Sequence, residues 1–209
     1  MTREHLRLPS NTQFQIGASV GRFSSAVIIA LIHGYPIFVV DEIPNYHYVG
    51  DGEIELAGLT TVEWGEAVVR TWRSFAGNVA CSAWVDPDTE FTKEMRRCKL
   101  RLARNYHHGP ELRVEITREY FHDNKIFLAP WLSILPNEIS RARWPPEESS
   151  AYKVRATGQD YTLSALEQVI SRRPEAKAAL KRPATHWIQQ RIEQNQGQMD
   201  KTDVHLGKL

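Results

Sequence analysis

The sequence predicts one mixed α/β domain, with an antiparallel sheet first and crossover connections after it. Three short apolar segments between residues 13 and 43 are separated by brief polar or glycine-containing gaps, which favour an antiparallel meander. Beyond residue 60, helix-like and strand-like segments alternate, as crossover connections require. The chain has 209 residues and 42% hydrophobic content, enough for one core of ordinary size.

The first three strands follow from short-range patterning. Residues 13–16 alternate polar and apolar, which indicates a half-buried strand. Residues 25–33 are rich in aliphatic side chains, as in a strand buried on both faces, and 37–40 form a third strand after a Gly-Tyr-Pro turn. Residues 44–59 contain Pro, Asn and several Gly, and we predict an irregular loop there.

From residue 60 the apolar period becomes helical. Val68, Val69 and Trp72 recur at helical spacing within a predicted helix over 60–75, with Thr60 or Thr61 as its cap. Gly77 is expected to end this helix. We predict further strands at 79–85, 100–103 and 125–129, and helices at 89–98, 111–121, 134–142 and 160–172, with a loop over 144–159.

The polar segments at both ends of the chain define the predicted domain boundaries. Residues 1–12 are expected to be a flexible arm, 13–173 the folded domain, and 174–209 a polar, partly helical tail. The longest apolar run, 26–32, is far too short to span a bilayer, and the N-terminus has no secretory signal pattern. Two cysteines exclude a disulfide framework, so we expect a cytoplasmic protein.

Charge is nearly balanced along the chain. Lys and Arg total 26, Asp and Glu total 25, and the net charge is +1, so a nucleic-acid surface has to come from local clustering. The densest basic cluster is either a solvated helix face or a phosphate-binding surface. It comprises Lys93, Arg96, Arg97, Lys99, Arg101 and Arg104.

The predicted order of strands and helices is that of a ribonuclease-H-like fold. In such a fold, carboxylates on the first strand, after the fourth strand and on a late helix converge and hold two divalent cations. Asp86 and Asp160 fall at two of these places, and Ser19 falls at the third. Mg²⁺ and Mn²⁺ prefer oxygen ligands, which makes carboxylates the appropriate residue type.

Three motifs resemble the nuclease domain of the large terminase subunit of tailed bacteriophages. Residues 16–21 (IGASVG) resemble the family's IGxDxG strand, 38–42 (FVVDE) its strand ending in Asp-Glu, and 84–87 (WVDP) its strand ending in Asp-Pro. Weaker matches follow at 125–130 (KIFLAP), 141–144 (RARW) and 159–166 (QDYTLSAL), so that the resemblance covers about residues 13–173.

The resemblance implies a metal-dependent endonuclease that cuts double-stranded DNA during viral genome packaging, in the host cytoplasm if the protein is phage-encoded. Asp86 and Asp160 would be the catalytic metal ligands for Mg²⁺ or Mn²⁺. The basic cluster at 93–104 would hold DNA. A separate packaging ATPase, a small terminase subunit or a portal would be the protein partners, since no GxxxxGK[ST] phosphate loop is present.

The departures from the family pattern concern the metal site. Ser19 replaces the first-strand Asp, and a neutral hydroxyl is a poor Mg²⁺ ligand beside a carboxylate. Asp41, Glu42 and Asp88 are the alternative sources of the missing ligand. Local sequence also allows Asp86 to be a turn residue and Asp160 to be only a helix N-cap.

Two other interpretations stay open. The same fold without an intact acidic site predicts a catalytically inactive module that binds DNA or a packaging partner. Alternatively, the chain is an unrelated mixed α/β protein whose motif matches arise by chance.

Overall fold

The computed structural model describes residues 8–32, 36–50, 53–77, 81–85, 93, 96–104, 110–142 and 160–172. Eight strands are formed by Gln13–Ser19 (β1), Ser25–Leu31 (β2), Ile37–Pro44 (β3), Tyr46–Val49 (β4), Glu53–Leu56 (β5), Ser82–Val85 (β6), Arg101–Arg104 (β7) and Ile126–Leu128 (β8). The α-helices are Thr61–Ala76 (α1), Pro110–His122 (α2), Ile134–Arg141 (α3) and Tyr161–Ile170 (α4), and Arg96–Cys98 form a 3₁₀ turn.

The main sheet has six strands in the order β7-β6-β1-β2-β3-β8. β1, β2 and β3 pair antiparallel, whereas β6 joins β1 in parallel, β7 joins β6 in parallel, and β8 joins β3 in parallel. The predicted fold class is therefore confirmed: an antiparallel first half is extended on both sides by crossover strands.

One face of the sheet is covered by α1. Ile16 and Ala18 of β1 are fully buried against this helix, together with Trp64 and Val68. The helix begins as predicted, because the Thr60 hydroxyl accepts a hydrogen bond from Glu63 N while the Glu63 carboxylate accepts one from Thr60 N. It ends at Gly77, whose φ of 67° favours glycine.

The other face is covered by α4, which packs directly on the backbone of β1. Side chains alternate between the two faces of a strand, so Gly17 faces away from α1. A Cβ on Gly17 would overlap the carbonyl oxygen of Ala165 and lie 3.1 Å from Val169. Because α4 also contacts β2, α2 and α3, it is buried on nearly all sides, where the sequence indicated a single apolar face.

The prediction of an irregular loop at 44–59 is wrong. β3 continues to Pro44, and β4 and β5 then form a separate antiparallel hairpin in which Tyr46 pairs with Leu56. Its signal is an alternation of period two, Tyr-His-Tyr-Val and then Glu-Ile-Glu-Leu, which the surrounding Pro and Gly obscured.

Other boundaries differ less. β1 extends to Ser19 rather than ending at residue 16. Of the helix predicted at 89–98, Lys93 is helical and Arg96–Cys98 form a 3₁₀ turn, and the other positions lie outside the described residues. The same holds for residues 1–7 of the predicted arm, the loop at 144–159 and the tail at 174–209. Within the described ranges, no helix combines the length and apolarity needed to cross a bilayer.

We predict that Gly17→Ala destabilises the fold by about 2 to 4 kcal/mol, because the added methyl group must displace the backbone of α4. Urea denaturation monitored by tryptophan fluorescence measures this change. Gly21→Ala is the matched control, since a Cβ at Gly21 meets nothing within 4 Å and should alter stability by less than about 0.5 kcal/mol. Equal effects of the two substitutions would contradict this packing.

Candidate functional site

The C-terminal ends of β1 and β6 lie at the same edge of the sheet, because these strands are parallel neighbours. Ser19 is the last residue of β1 and Val85 the last of β6. Asp86 follows Val85 directly in sequence but lies outside the described residues. The strand order therefore brings Ser19 to the same edge as Val85, the last described residue before Asp86.

Asp160 is brought to this edge by the first turn of α4. Ser25 is the register partner of Ser19, and its hydroxyl oxygen lies 2.7 Å from that of Thr162 in a buried contact. Asp160 is half-buried at the N-cap position, but its side chain makes no capping hydrogen bond to the helix. The structure thus gives no support to a purely capping role for Asp160.

A buried carboxylate, Glu138 of α3, fixes the start of α4. Its Oε2 accepts a hydrogen bond of 2.7 Å from Leu163 N, and its Oε1 accepts hydrogen bonds from the hydroxyls of Tyr46 and Tyr48. The Tyr46 hydroxyl oxygen is also 2.6 Å from that of Thr162. β2, β4, α3 and α4 are thereby joined by one hydrogen-bond network next to Asp160.

Burial dominates the electrostatics of this network. Glu138 is 2% exposed, and desolvation raises its pKa to about 7 against the opposing effect of its hydrogen bonds. The negative charge of Asp160 adds to this increase in the pKa of Glu138. Burial, followed by the charge of Glu138, raises the pKa of both Tyr46 and Tyr48.

Glu138 was missed in the sequence, although a signal for it exists. It lies three residues after Leu135, which is fully buried, and therefore falls on the buried stripe of its helix. A carboxylate on such a stripe needs buried hydrogen-bond donors. The tyrosines that donate to it belong to the hairpin that the sequence did not predict.

The alternative ligands Asp41 and Glu42 lie elsewhere. Glu42 accepts hydrogen bonds from Ser133 N at 2.6 Å, Ile134 N at 2.8 Å and Leu135 N at 2.7 Å, which favours a structural role at the start of α3. Asp41 pairs with Ile28, three residues from Ser25 along β2 and hence about 10 Å from the Ser19 edge. The structure brings neither residue to Ser19.

The predicted basic cluster is distributed along β7 and the segment before it. Lys93, Arg97, Lys99 and Arg101 are exposed, while the side chains of Arg96 and Arg104 are not among those described. The backbone of Arg104 pairs with Val85, at the edge of the sheet where the candidate site lies. Arg101 pairs with Ser82, at the opposite end of β6. The register therefore separates the members of this cluster.

The oxygen atoms at the edge of the sheet are of the type that binds Mg²⁺ or Mn²⁺, but the described residues provide too few carboxylates. Carboxylate and hydroxyl oxygens are the appropriate class for Mg²⁺ or Mn²⁺. The described side chains, however, contain no group of three His, Cys, Asp or Glu residues able to hold a metal. The metal site predicted at Asp86 and Asp160 stays a prediction, because Asp86 lies outside the described residues.

Comparison with solved structures identifies the fold. A large terminase from a thermophilic bacteriophage matches with a TM-score of 0.59 and 12% sequence identity, over 78% of this chain and 40% of that one. The large terminase nuclease from the thermophilic phage G20c matches with a TM-score of 0.56 and 13% identity, over 78% of this chain and 84% of that one. The chain has the terminase nuclease fold.

The likeness extends to the ADP complex of the first of these terminases, with a TM-score of 0.58 and 13% identity over 79% of this chain. The chain matches about two fifths of the length of that large terminase but most of the G20c nuclease, so the terminase nuclease fold accounts for the match. No protein-family model and no curated protein matches the sequence.

We predict that Glu138→Gln flattens the pH dependence of stability. The folded-state pKa of about 7 lies above the ordinary value of 4.5, so this group's contribution is complete below about pH 4.5 and is lost as the pH rises through about 7. The wild type should lose on the order of 3 kcal/mol from this group across that interval. Urea denaturation at a series of pH values, with EDTA present, measures the change.

Glu53→Gln is the matched control, because Glu53 is an exposed carboxylate of β5. This variant should retain the wild-type pH profile. The groups facing Glu138 are Tyr46, Tyr48 and Asp160, with Arg141 beside Tyr48, and all remain in both variants. A profile of Glu138→Gln that parallels the wild type would show that Glu138 does not bind a proton in this range.

Proposed function

We propose that this chain is a terminase-type nuclease domain that acts on double-stranded DNA in viral genome packaging, through a metal site weakened by Ser19. The fold and the edge geometry support the proposal together. The chain has the terminase nuclease fold. Its strands β1 and β6 end at the edge of the sheet where α4 begins, and Asp160 makes no capping hydrogen bond there.

Asp160 and Asp86 would hold a divalent cation, Mg²⁺ or Mn²⁺. A bound cation supplies an activated water and stabilises negative charge in phosphodiester hydrolysis. The chain's own contribution is to fix Asp160, which follows from the Ser25–Thr162 contact and from the bond between Leu163 N and Glu138. This anchoring does not use Ser19.

With Ser19 in place of an aspartate, the edge of the sheet carries one negative charge fewer. A hydroxyl contributes neither the negative charge nor the bridging geometry of a carboxylate, so two cations close together would be held weakly. We therefore expect cleavage, where present, to be slow and to require high Mn²⁺ concentrations.

Asp160→Asn and Asp86→Asn should each lower Mn²⁺-dependent plasmid cleavage by about 100-fold or more, because each removes a charged ligand. Nicking and linearisation of supercoiled plasmid on agarose gels measure this. Asp123→Asn is the control, since Asp123 is paired with Lys125 in the turn after α2 and should leave cleavage unchanged. Wild-type rates in the Asp86 and Asp160 variants would refute the site.

Ser19→Asp should raise cleavage by about tenfold or more, since it supplies the carboxylate expected at the end of β1. Ser82→Asp adds the same charge at the opposite end of the neighbouring strand β6, and should have no effect. An increase in both variants would point to a general charge effect rather than to restored ligation.

The second candidate is a catalytically inactive module on the same fold that binds DNA or a packaging partner. Ser19 is the observation that favours it. If duplex DNA binds to the wild type and cleavage appears only in Ser19→Asp, the inactive module is the correct function.

A further inference from the structure

A cluster of four aromatic rings lies beside the start of α4. Its members are Phe23, Tyr161, Tyr46 and Tyr48. Ring centroids are 5.4 Å apart between Phe23 and Tyr161, 5.7 Å between Tyr161 and Tyr46, 6.3 Å between Phe23 and Tyr46, and 6.1 Å between Tyr46 and Tyr48. We call this the aromatic cluster.

Two members of the aromatic cluster each carry an exposed arginine. The guanidinium carbon of Arg22, in the turn between β1 and β2, is 5.3 Å from the Phe23 ring centroid. That of Arg141, the last residue of α3, is 4.9 Å from the Tyr48 ring centroid. Contacts with a ring face restrict each guanidinium group while leaving its N–H donors available.

The aromatic cluster lies directly beside Asp160. Tyr161 follows Asp160 in the chain, and its ring contacts that of Phe23, on which Arg22 lies. Tyr48, on which Arg141 lies, donates a hydrogen bond to Glu138, and Glu138 also accepts one from Leu163 N in the first turn of α4. Both arginines are thus connected through contacting side chains to the start of α4.

Neither arginine is neutralised within the described part of the chain. The described ion pairs involve His47, His122, Lys125 and their acidic partners, but not Arg22 or Arg141. Two exposed positive groups close to the start of α4 suit an anion that carries several negative charges along its length. Planar guanidinium groups match phosphate oxygens with two parallel hydrogen bonds.

We propose that Arg22 and Arg141 bind backbone phosphates of duplex DNA beside the start of α4, close to Asp160. This inference rests on the proposed function and assigns its DNA-contacting residues. It differs from the sequence prediction, which located DNA binding at 93–104. Contacts to phosphate position the duplex without reading its sequence.

The test is fluorescence anisotropy with a short labelled duplex of mixed sequence, in EDTA so that cleavage does not occur. Arg22→Gln and Arg141→Gln should each weaken binding several-fold and lower the slope of log K against log salt by about 1, and the double variant by about 2. Arg70→Gln is the matched control, because Arg70 is an exposed arginine of α1 on the opposite face of the sheet.

Four outcomes are informative. Loss in the two single variants with wild-type binding by Arg70→Gln supports the inference. Unchanged affinity and salt slope in the double variant overturn it while leaving the proposed function standing. An equal loss in Arg70→Gln also overturns it, because the effect would then follow net charge. If the wild type does not bind duplex DNA, the proposed function fails as well. Thermal unfolding of each variant verifies that the fold is intact.

Discussion

The close approach of α4 to β1 at Gly17 is the constraint on which the rest of the structure depends. Only a residue without a Cβ lets the helix backbone contact the strand there. That contact places a nearly fully buried helix at the centre of the domain, with the sheet on one side and α2 and α3 also in contact with it. The residue preceding α4 is then held at the edge where β1 and β6 end.

Such a central helix needs partners for the polar groups of its first turn, because water does not reach them. Glu138, Tyr46 and Ser25 supply those partners from three different elements. The hairpin of β4 and β5 stabilises this arrangement, because it carries the two tyrosines whose hydroxyls donate hydrogen bonds to the buried Glu138 carboxylate. Fold and candidate site are consequently built from the same hydrogen bonds.

The sequence predicted what periodicity and capping encode. The strands around residues 13–43, the helix that Thr60 caps and the helix that begins after Asp160 follow from local patterns. The hairpin was not predicted because the Pro, Asn and Gly residues at 44–52 are typical of a loop. The period-two alternation of polar and apolar residues in its two strands is short. The role of Glu138 arises only from contacts with residues more than 20 positions away, and the cap that Glu42 provides for α3 spans about 90 residues. No local window contains that information.

Ser19 has a consequence for the resting state of the domain. Carboxylates that converge on an edge repel one another whenever no cation is bound, and that repulsion opposes folding. With a hydroxyl at the end of β1 and the anchoring of α4 provided by neutral or separately buried groups, this chain avoids part of that repulsion. We therefore expect the fold of this chain to depend less on a bound cation than it would with a carboxylate at the end of β1.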